Sequence, residues 1–391
     1  MGEREAALAC AMAEGVGPAT ARRLLGAFGT YRRIVEAARR GGITSPFRHD
    51  LGRRIARIVE SGAAGKALDA ARAAGVRYVV GGDREYPDVL SEIGRPPIGV
   101  FVRGGALNEF APAVAIVGTR AATPRGLATA GELASGLAAA GFTIVSGMAR
   151  GVDTAAHRGA LAAGGETVAV LGSGLARVYP PENASLAEEI AGRGAVVSEY
   201  PVDREARPEF FPQRNRIIAG LAAGTVVVEA GRRSGALITA SFALESGREV
   251  FAVPGPVQAE QSRGPHALLR DGAALVEGVR DIVDELEAVC GEAARRRAAV
   301  RSVEDRGRAE ADGASDAPPD RAGRGPGLPD RILSVLGLTP VDPGALAADL
   351  GVGVQKILAA LIELELAGRA RSWPGGRYTA AGRGGGRGDR S

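Results

Sequence analysis

Arg214, Arg216, Arg232, Arg233 and Ser234 crowd into one stretch of a 391-residue chain. The stretch begins Phe211-Pro212-Gln213-Arg214-Asn215-Arg216-Ile217-Ile218 and runs through the β-rich segment Thr225-Val226-Val227-Val228-Glu229. It then turns at Ala230-Gly231-Arg232-Arg233-Ser234-Gly235 into a helix-like segment from Ala236 to Ser246, and closes on Val250-Phe251-Ala252-Val253. Strand, glycine turn, helix and strand make a βαβ unit, for which a right-handed crossover is the rule. Ligands of such sheets bind beyond the carboxyl ends of the strands. Guanidinium groups and the N–H groups of a starting helix, placed there, suit an anion. A cationic groove beside an aromatic ring is also what single-stranded nucleic acid requires. Arg120, Arg150, Arg214, Arg216 and Arg232 are candidates for the groove, and Phe211 or Phe210 for the stacking surface. If that segment is extended, the two adjacent rings face opposite ways, and one of them packs in the core.

Two other chemistries compete for these loops. Asp153 and His157, four residues apart, share a helix face, and Glu199 and Glu229 end strands near the same edge. These could serve a hydrolase, or Asp153 and His157 could simply order a loop through hydrogen bonds. A metal site needs a third ligand close by, and His49 and His266 lie in unrelated contexts. The dinucleotide fingerprint needs a third glycine and a helix directly after the first two. Gly172-Ser173-Gly174 runs instead into Val178-Tyr179-Pro180-Pro181, Gly118-Thr119-Arg120 departs from it as well, and no Walker A lysine is present. The expectation is therefore no cofactor. A nucleotide-cleaving enzyme of the phosphoribohydrolase type uses a similar sheet, but its Pro-Gly-Gly-x-Gly-Thr turn is missing.

The elements that must position these residues follow from periodicity. From about residue 112 the pattern is repeated βα, with strands at Val114–Val117, Phe142–Val145, Thr167–Leu171 and Val196–Val197. Helices are predicted from Pro124 to Ala140 and from Val152 to Ala163. Continuous apolar strands alternating with helices mean a parallel sheet covered on both faces. The expected fold is thus α/β, a doubly wound Rossmann-like domain over 76–290. Before it, Val76–Val80 reads as a short strand and Ile98–Val102 as an edge strand.

Residues 1–75 read as a helical domain. A helix from Ala6 to Glu14, the turn Gly15-Val16-Gly17-Pro18 and a helix from Ala19 to Phe28 resemble a helix-hairpin-helix (a SAM- or HhH-like module). Such a turn either holds a phosphate on its N–H groups or merely connects helices. Residues 291–326, with Arg295-Arg296-Arg297 and Gly313 to Pro319, read as a flexible linker. Residues 327–381 read as three helices and a hairpin, a winged helix that would bind either DNA or protein. The Gly/Arg-rich tail 382–391 is expected to be disordered.

Composition narrows the setting. The formal charge is +4, the isoelectric point is near 9.4, and every basic residue except Lys66 and Lys356 is arginine. A basic balance leans towards polyanionic partners. Cys10 and Cys290 form no metal spacing and read as reduced thiols. No signal-like h-region and no run of about 18 apolar residues is seen, so a cytoplasmic protein without a membrane span is expected.

Six blocks together resemble the DNA-processing family called DprA or Smf, in its order and spacing from about Tyr86 to Leu286. They are Gly118-Thr119-Arg120, Ser146 to Asp153, Tyr179-Pro180, Ser198-Glu199-Tyr200-Pro201, Phe211 to Leu221 and Ser234 to Ala240. The resemblance implies a protein without catalytic activity that binds single-stranded DNA regardless of sequence. It also implies a homodimer that loads the RecA recombinase onto incoming DNA in natural transformation. Carried over by position, Arg120 and Phe211 look like residues of the family's DNA pocket. The expected DNA-binding set is Gly118, Thr119, Arg120, Ser146, Gly147, Arg150, Gly174, Phe211, Arg214, Asn215, Arg216, Ser234 and Gly235. One departure is Pro181, where members often carry a basic residue; that phosphate contact is then either absent or supplied by Arg177.

Overall fold

The computed structural model describes residues 1–43, 50–286, 328–336, 341–350, 352, 354–366, 369–373 and 377–380. The expected linker, the tail, His49, Cys290 and the Pro374-Gly375-Gly376 turn lie outside them. The described residues form two compact units, one within Met1–Ala309 and one within Glu310–Ser391.

The first unit is built on a nine-stranded sheet. Its strands are β1 (Arg77–Val80), β2 (Gly99–Gly104), β3 (Ala113–Val117), β4 (Thr143–Ser146), β5 (Thr167–Leu171), β6 (Ala195–Ser198), β7 (Gly224–Val227), β8 (Glu249–Ala252) and β9 (Ala274–Leu275). Their order across the sheet is β1-β2-β6-β5-β4-β3-β7-β8-β9. Strands β3 to β9 pair in parallel, and β2 runs antiparallel to both β1 and β6. The expected edge strand at 98–102 is therefore internal, and β1 holds the edge. The reason is in its residues: Val100, Phe101 and Val102 are all buried, which requires cover on both faces.

Alternate residues of each strand enter different cores. On one face Ala115, Val117, Val168, Val170 and Val197 meet α10 (Phe210–Leu221) and α11 (Gly235–Glu245). On the other face Val114, Ile116, Ile144, Val226 and Phe251 meet α7 (Pro124–Ala139), α8 (Val152–Ala162) and α13, described over 279–286. The half of this second face over β1, β2, β5 and β6 is covered by α9 (Ala184–Arg193) and the N-terminal helices α1 (Glu3–Met12), α2 (Pro18–Phe28), α3 (Tyr31–Arg39), α4 (Leu51–Glu60) and α5 (Ala63–Ala73). Leu8, Leu24, Ile34 and Ile55 share one core with Tyr78, Phe101, Leu171 and Val196. Packing is thus continuous across residue 75. The short α6 (Asp88–Ser91) and α12 (Arg263–Arg270) complete the unit.

After β3 the chain winds through α7 towards β4, β5 and β6, then returns through α10 to β7 on the other side of β3. The loops after β3 and β7 consequently diverge, and a crevice opens between them. Helix α10 replaces the extended segment expected at Phe210-Phe211. Pro212 sits in its first turn, where a missing N–H breaks no helical hydrogen bond.

The second unit has α14 (Leu328–Val335), α15 (Pro343–Leu350), α16 (Val354–Leu366) and the antiparallel pair β10 (Ala370–Trp373) and β11 (Arg377–Ala380). Ile332, Leu336, Leu346, Ile357, Leu361 and Leu364 form its core. Three helices and a hairpin are the winged-helix arrangement.

Leu8 reports on the shared core. Leu8→Ala is expected to cost about 2–5 kcal/mol, as buried leucine truncations do. In urea it should shift the main unfolding transition of the first unit. A separate early transition of the helices alone would contradict a continuous core.

Candidate nucleic-acid interface

The crevice at the switch point encloses about 920 Å³. Its walls are the β3–α7 loop with Gly118, Thr119 and Arg120, the β7–α11 loop with Gly231 to Gly235, and the start of α10 with Phe211. Phe211 lines it beside Arg120 and Tyr179. The Arg120 guanidinium carbon lies 5.3 Å from the Phe211 ring centroid, and the Tyr179 ring lies 5.6 Å from it at 52°. Arg120, Arg232 and Arg233 are exposed, and no carboxylate pairs with them among the described residues. Phe210, by contrast, is buried and stacks on Tyr200. One ring packs and the other lines the crevice, as expected. The cause is the roughly 100° step between neighbours on a helix rather than strand alternation.

Arg214 and Arg216, expected as a cationic track, are internal. Arg214 is 5% exposed; it donates to the carbonyls of Gly147 (2.6 Å) and Val170 and to Asn215 Oδ1 at 3.1 Å. Arg216 is 8% exposed and donates to Glu199 at 2.5 Å. The two leave α10 in different directions, and each charge answers groups inside the protein: Arg214 the strand-end carbonyls and Arg216 Glu199. Asn215 is also a brace, donating to the Gly235 carbonyl at 3.1 Å and tying α10 to α11.

Asp153 is the counter-charge. Its carboxylate accepts from the Gly147 and Ala149 N–H groups at 3.2 and 3.3 Å. Burial pushes its pKa up to about 6, against the pull of Arg214 and these amides. A Cβ on Gly147 would sit 2.7 Å from the Asp153 oxygen and 2.8 Å from an Arg214 nitrogen. Gly147 is therefore glycine so that the pair can flank it. His157 belongs to the core: its Nδ1 is 2.7 Å from Thr167 Oγ1, which donates to the Ile144 carbonyl at 2.7 Å. Burial lowers its pKa to about 3.

Glu229 explains why the turn after β3 is no phosphate site. Its carboxylate accepts from the Thr123 N–H (2.9 Å) and hydroxyl (2.6 Å) at the start of α7, and its carbonyl accepts from the Thr119 N–H at 2.7 Å. The N-terminus of α7 thus already holds an anion of the chain itself. The N–H of Thr119, expected to hold a phosphate, is engaged. At α11, Ser234 caps the helix by accepting from Ala236 N–H at 3.3 Å, with exposed Gly235 beside it.

Three more expected residues sit elsewhere in function. Ser146 is buried and donates to the Ile116 carbonyl at 2.6 Å, pinning β4 to β3. Gly174 is buried where the backbone of Pro201 and Val202 leaves no space for a Cβ, and its N–H donates to the Arg204 carbonyl at 2.7 Å. Arg150 lines a small annexe with Arg120 and Phe211, but its guanidinium is paired with Glu182. Sequence reasoning missed Tyr179 as a wall of the crevice and Glu229 as a cap. An aromatic residue just after a strand-end glycine turn was the available signal for the first. Nothing local signals the second, because Thr123 and Glu229 are 106 residues apart. Among the described residues no three His, Cys, Asp or Glu side chains converge as metal ligands.

The two buried ionisable groups of α8 make opposite demands on pH. Between about pH 6 and 4 the folded state binds a proton at Asp153 that the unfolded state does not, so acidification stabilises. Over the same range the unfolded state binds a proton at His157 that the folded state does not, so acidification destabilises. The two nearly cancel in the parent. Relative to it, Asp153→Asn should lose stability on acidification at up to ~1.4 kcal/mol per pH unit, and His157→Asn should gain at a similar rate. Urea titrations at pH 4, 5 and 6 measure both; parallel curves for all three proteins would contradict the assignment.

Comparison with known proteins agrees with this geometry. Residues 77–287 match the family model described as DNA recombination-mediator protein A, and residues 314–376 match that of the DprA winged helix domain. Protein Smf of Escherichia coli K12 is 39% identical over 304 residues, 76% of each chain. The DNA processing protein DprA of Streptococcus pneumoniae is 45% identical over 203 residues, 52% of this chain and 71% of that one. An X-ray structure of DprA from the same organism covers 64% of this chain and 86% of its own with a TM-score of 0.58 and 37% identity. A family model spanning the whole sheet, its crevice and its second face, with a relative alike over three-quarters of both chains, assigns this chain to the DNA recombination-mediator protein A family, the DprA/Smf proteins.

Proposed function

We propose that the crevice binds single-stranded DNA without sequence preference, as a step in processing incoming DNA. The observation that carries this reading is the cluster of Arg120, Phe211 and Tyr179 at the mouth of the crevice. A base stacks on the exposed part of Phe211 or on Tyr179, and the adjacent phosphate meets Arg120. Arg232 and Arg233, on the loop before α11, continue the cationic track in place of Arg214 and Arg216. Contacts to phosphates and ring faces are made alike by every sequence.

The protein acts by binding and not by turnover. Asp153 is held by loop amides and Arg214, Glu229 by Thr123, and Glu199 by Arg216, which leaves these carboxylates oriented for support. Membership of the family supports the further steps: a homodimer in the cytoplasm that loads a RecA recombinase onto the bound strand. No described helix is long and apolar enough to cross a membrane.

Binding of a labelled mixed-sequence oligonucleotide, followed by fluorescence anisotropy at several salt concentrations, tests the site. Each phosphate contact contributes about 0.7 to the slope of log affinity against log salt. Arg120→Ala should weaken all sequences alike and flatten the slope by about one contact. Phe211→Ala should cost ~1–3 kcal/mol with little change in slope. Affinity and slope unchanged in Arg120→Ala would place the anion site elsewhere.

A further inference from the structure

The turn Gly15-Val16-Gly17-Pro18 opens onto a second cavity, of about 650 Å³, on the same unit. Its apolar floor comes from Leu8 and Val16 of the N-terminal helices and from Ile238 and Phe242 of α11. Over that floor stand two cation–aromatic pairs. Arg204 lies 5.5 Å from the centroid of Phe210, which is itself stacked on Tyr200 at 4.1 Å and 23°. Arg95 lies 5.7 Å from the centroid of Phe242. The carboxylates at this cavity are largely answered. Glu199 is held by Arg216 at 2.5 Å, and the Glu245 carboxylate is 3.9 Å from Arg95 with both side chains 61% exposed, a pair that salt and water screen. The N-terminus of α2, at Gly17, has no side-chain cap and faces this cavity.

The two cavities meet at the start of α10. Phe211 lines the first, Phe210 the second, and Pro212 both. The chemistry repeats across that ridge: an arginine over a phenylalanine with a tyrosine ring beside it, at Arg120–Phe211–Tyr179 and again at Arg204–Phe210–Tyr200. Phe210 itself is buried, so in the second group the half-exposed rings of Tyr200 and Phe242 offer the faces to bases while Arg204 and Arg95 offer charge.

We propose that the second cavity is a further nucleotide subsite for the same DNA strand, which crosses the first turn of α10 from Phe211 to Arg204, with the N-terminal helices as its far wall. This rests on the reading of the first crevice as a single-strand site. Bases lie against Tyr200 and Phe242, and phosphates meet Arg204, Arg95 and the open end of α2. The helical hairpin then lengthens the footprint on DNA and does not bind a duplex on its own.

Oligothymidylates of two lengths test this with the full-length protein: about six nucleotides, enough for one crevice, and about fifteen, enough for both. The parent should bind the long one tighter by roughly tenfold or more, the scale of one added stacked base. In the double variant Arg95→Ala/Arg204→Ala, which changes two exposed side chains, the short oligonucleotide should bind as in the parent. The gain with length should shrink, and the salt slope for the long one should fall by about 0.7 per lost contact. Cross-linking of a long oligonucleotide substituted with 5-iodouracil should give adducts on Tyr200 or Phe242. Three results overturn the subsite: parent-like binding of the long oligonucleotide by the double variant, an equal loss on both lengths, or adducts confined to Tyr179 and Phe211. A parent that binds neither length overturns the reading of the first crevice itself, and the subsite with it.

Discussion

Arg214 leaves the second turn of α10, enters the carboxyl edge of the sheet, and there meets Asp153 of α8 across the backbone of Gly147. From that position it holds the carbonyls at the ends of β4 and β5 and the side chain of Asn215, which in turn holds the first residue of α11. The β4–α8 loop and the end of β5 are thereby fixed to one guanidinium, and through Asn215 so is the start of α11. A buried guanidinium of this kind is stable only while its hydrogen bonds are made, because leaving it unanswered in the interior is costly. The planar fork of arginine can bond several carbonyls at once, which the point charge of lysine cannot. Arg214 thereby joins α10 to the β4–α8 loop and to β5 beside the crevice.

That arrangement sorts the charged residues of the carboxyl edge into two classes. Asp153, Glu199, Glu229, Arg214 and Arg216 compensate one another inside the protein. Arg120, Arg232 and Arg233 point to solvent and leave the crevice cationic. The distinction also explains the absence of a nucleotide-type phosphate site after β3. In a dinucleotide-binding sheet the first helix offers its amide groups to a pyrophosphate. Here Glu229 delivers a carboxylate from the neighbouring strand to that helix, and a second anion at the same place would meet like charge. The exposed guanidinium groups are instead open to an anion from outside the protein, for which salt competes.

The N-terminal helices have a physical reason to be where they are. Strands β5, β6, β2 and β1 are apolar on both faces, and α7, α8 and α13 leave much of that half of their side uncovered. Without α1 to α5, residues such as Tyr78, Phe101 and Leu171 would face water. Covering that surface also brings the hairpin turn to the edge of the sheet, beside the start of α10. A packing role and a DNA-facing role for this module are therefore compatible, since one face of it is buried and its turn is not.

How much of this was legible depended on how local the signal is. The runs Val114–Val117, Thr167–Leu171 and Thr225–Val228, the first two followed directly by glycine and the third by Glu229-Ala230-Gly231, were enough to imply a doubly wound sheet with its ligand edge at the glycine turns, because a strand buried on both faces is apolar at every position. The six family blocks marked the same edge, where Arg120 is exposed beside Phe211. What the sequence could not convey was which arginines reach solvent. Arg214 and Arg120 are the same residue type near similar loops, and only the rotation of α10 about its axis, set by Ile217 and Ile218 packing on the sheet, turns Arg214 inward. The internal place of β2, the cap that Glu229 forms on a helix 106 residues away and the joining of the hairpin to the sheet are likewise decided by pairing over long sequence distances. Periodicity reports which residues are buried, and only tertiary packing decides against what.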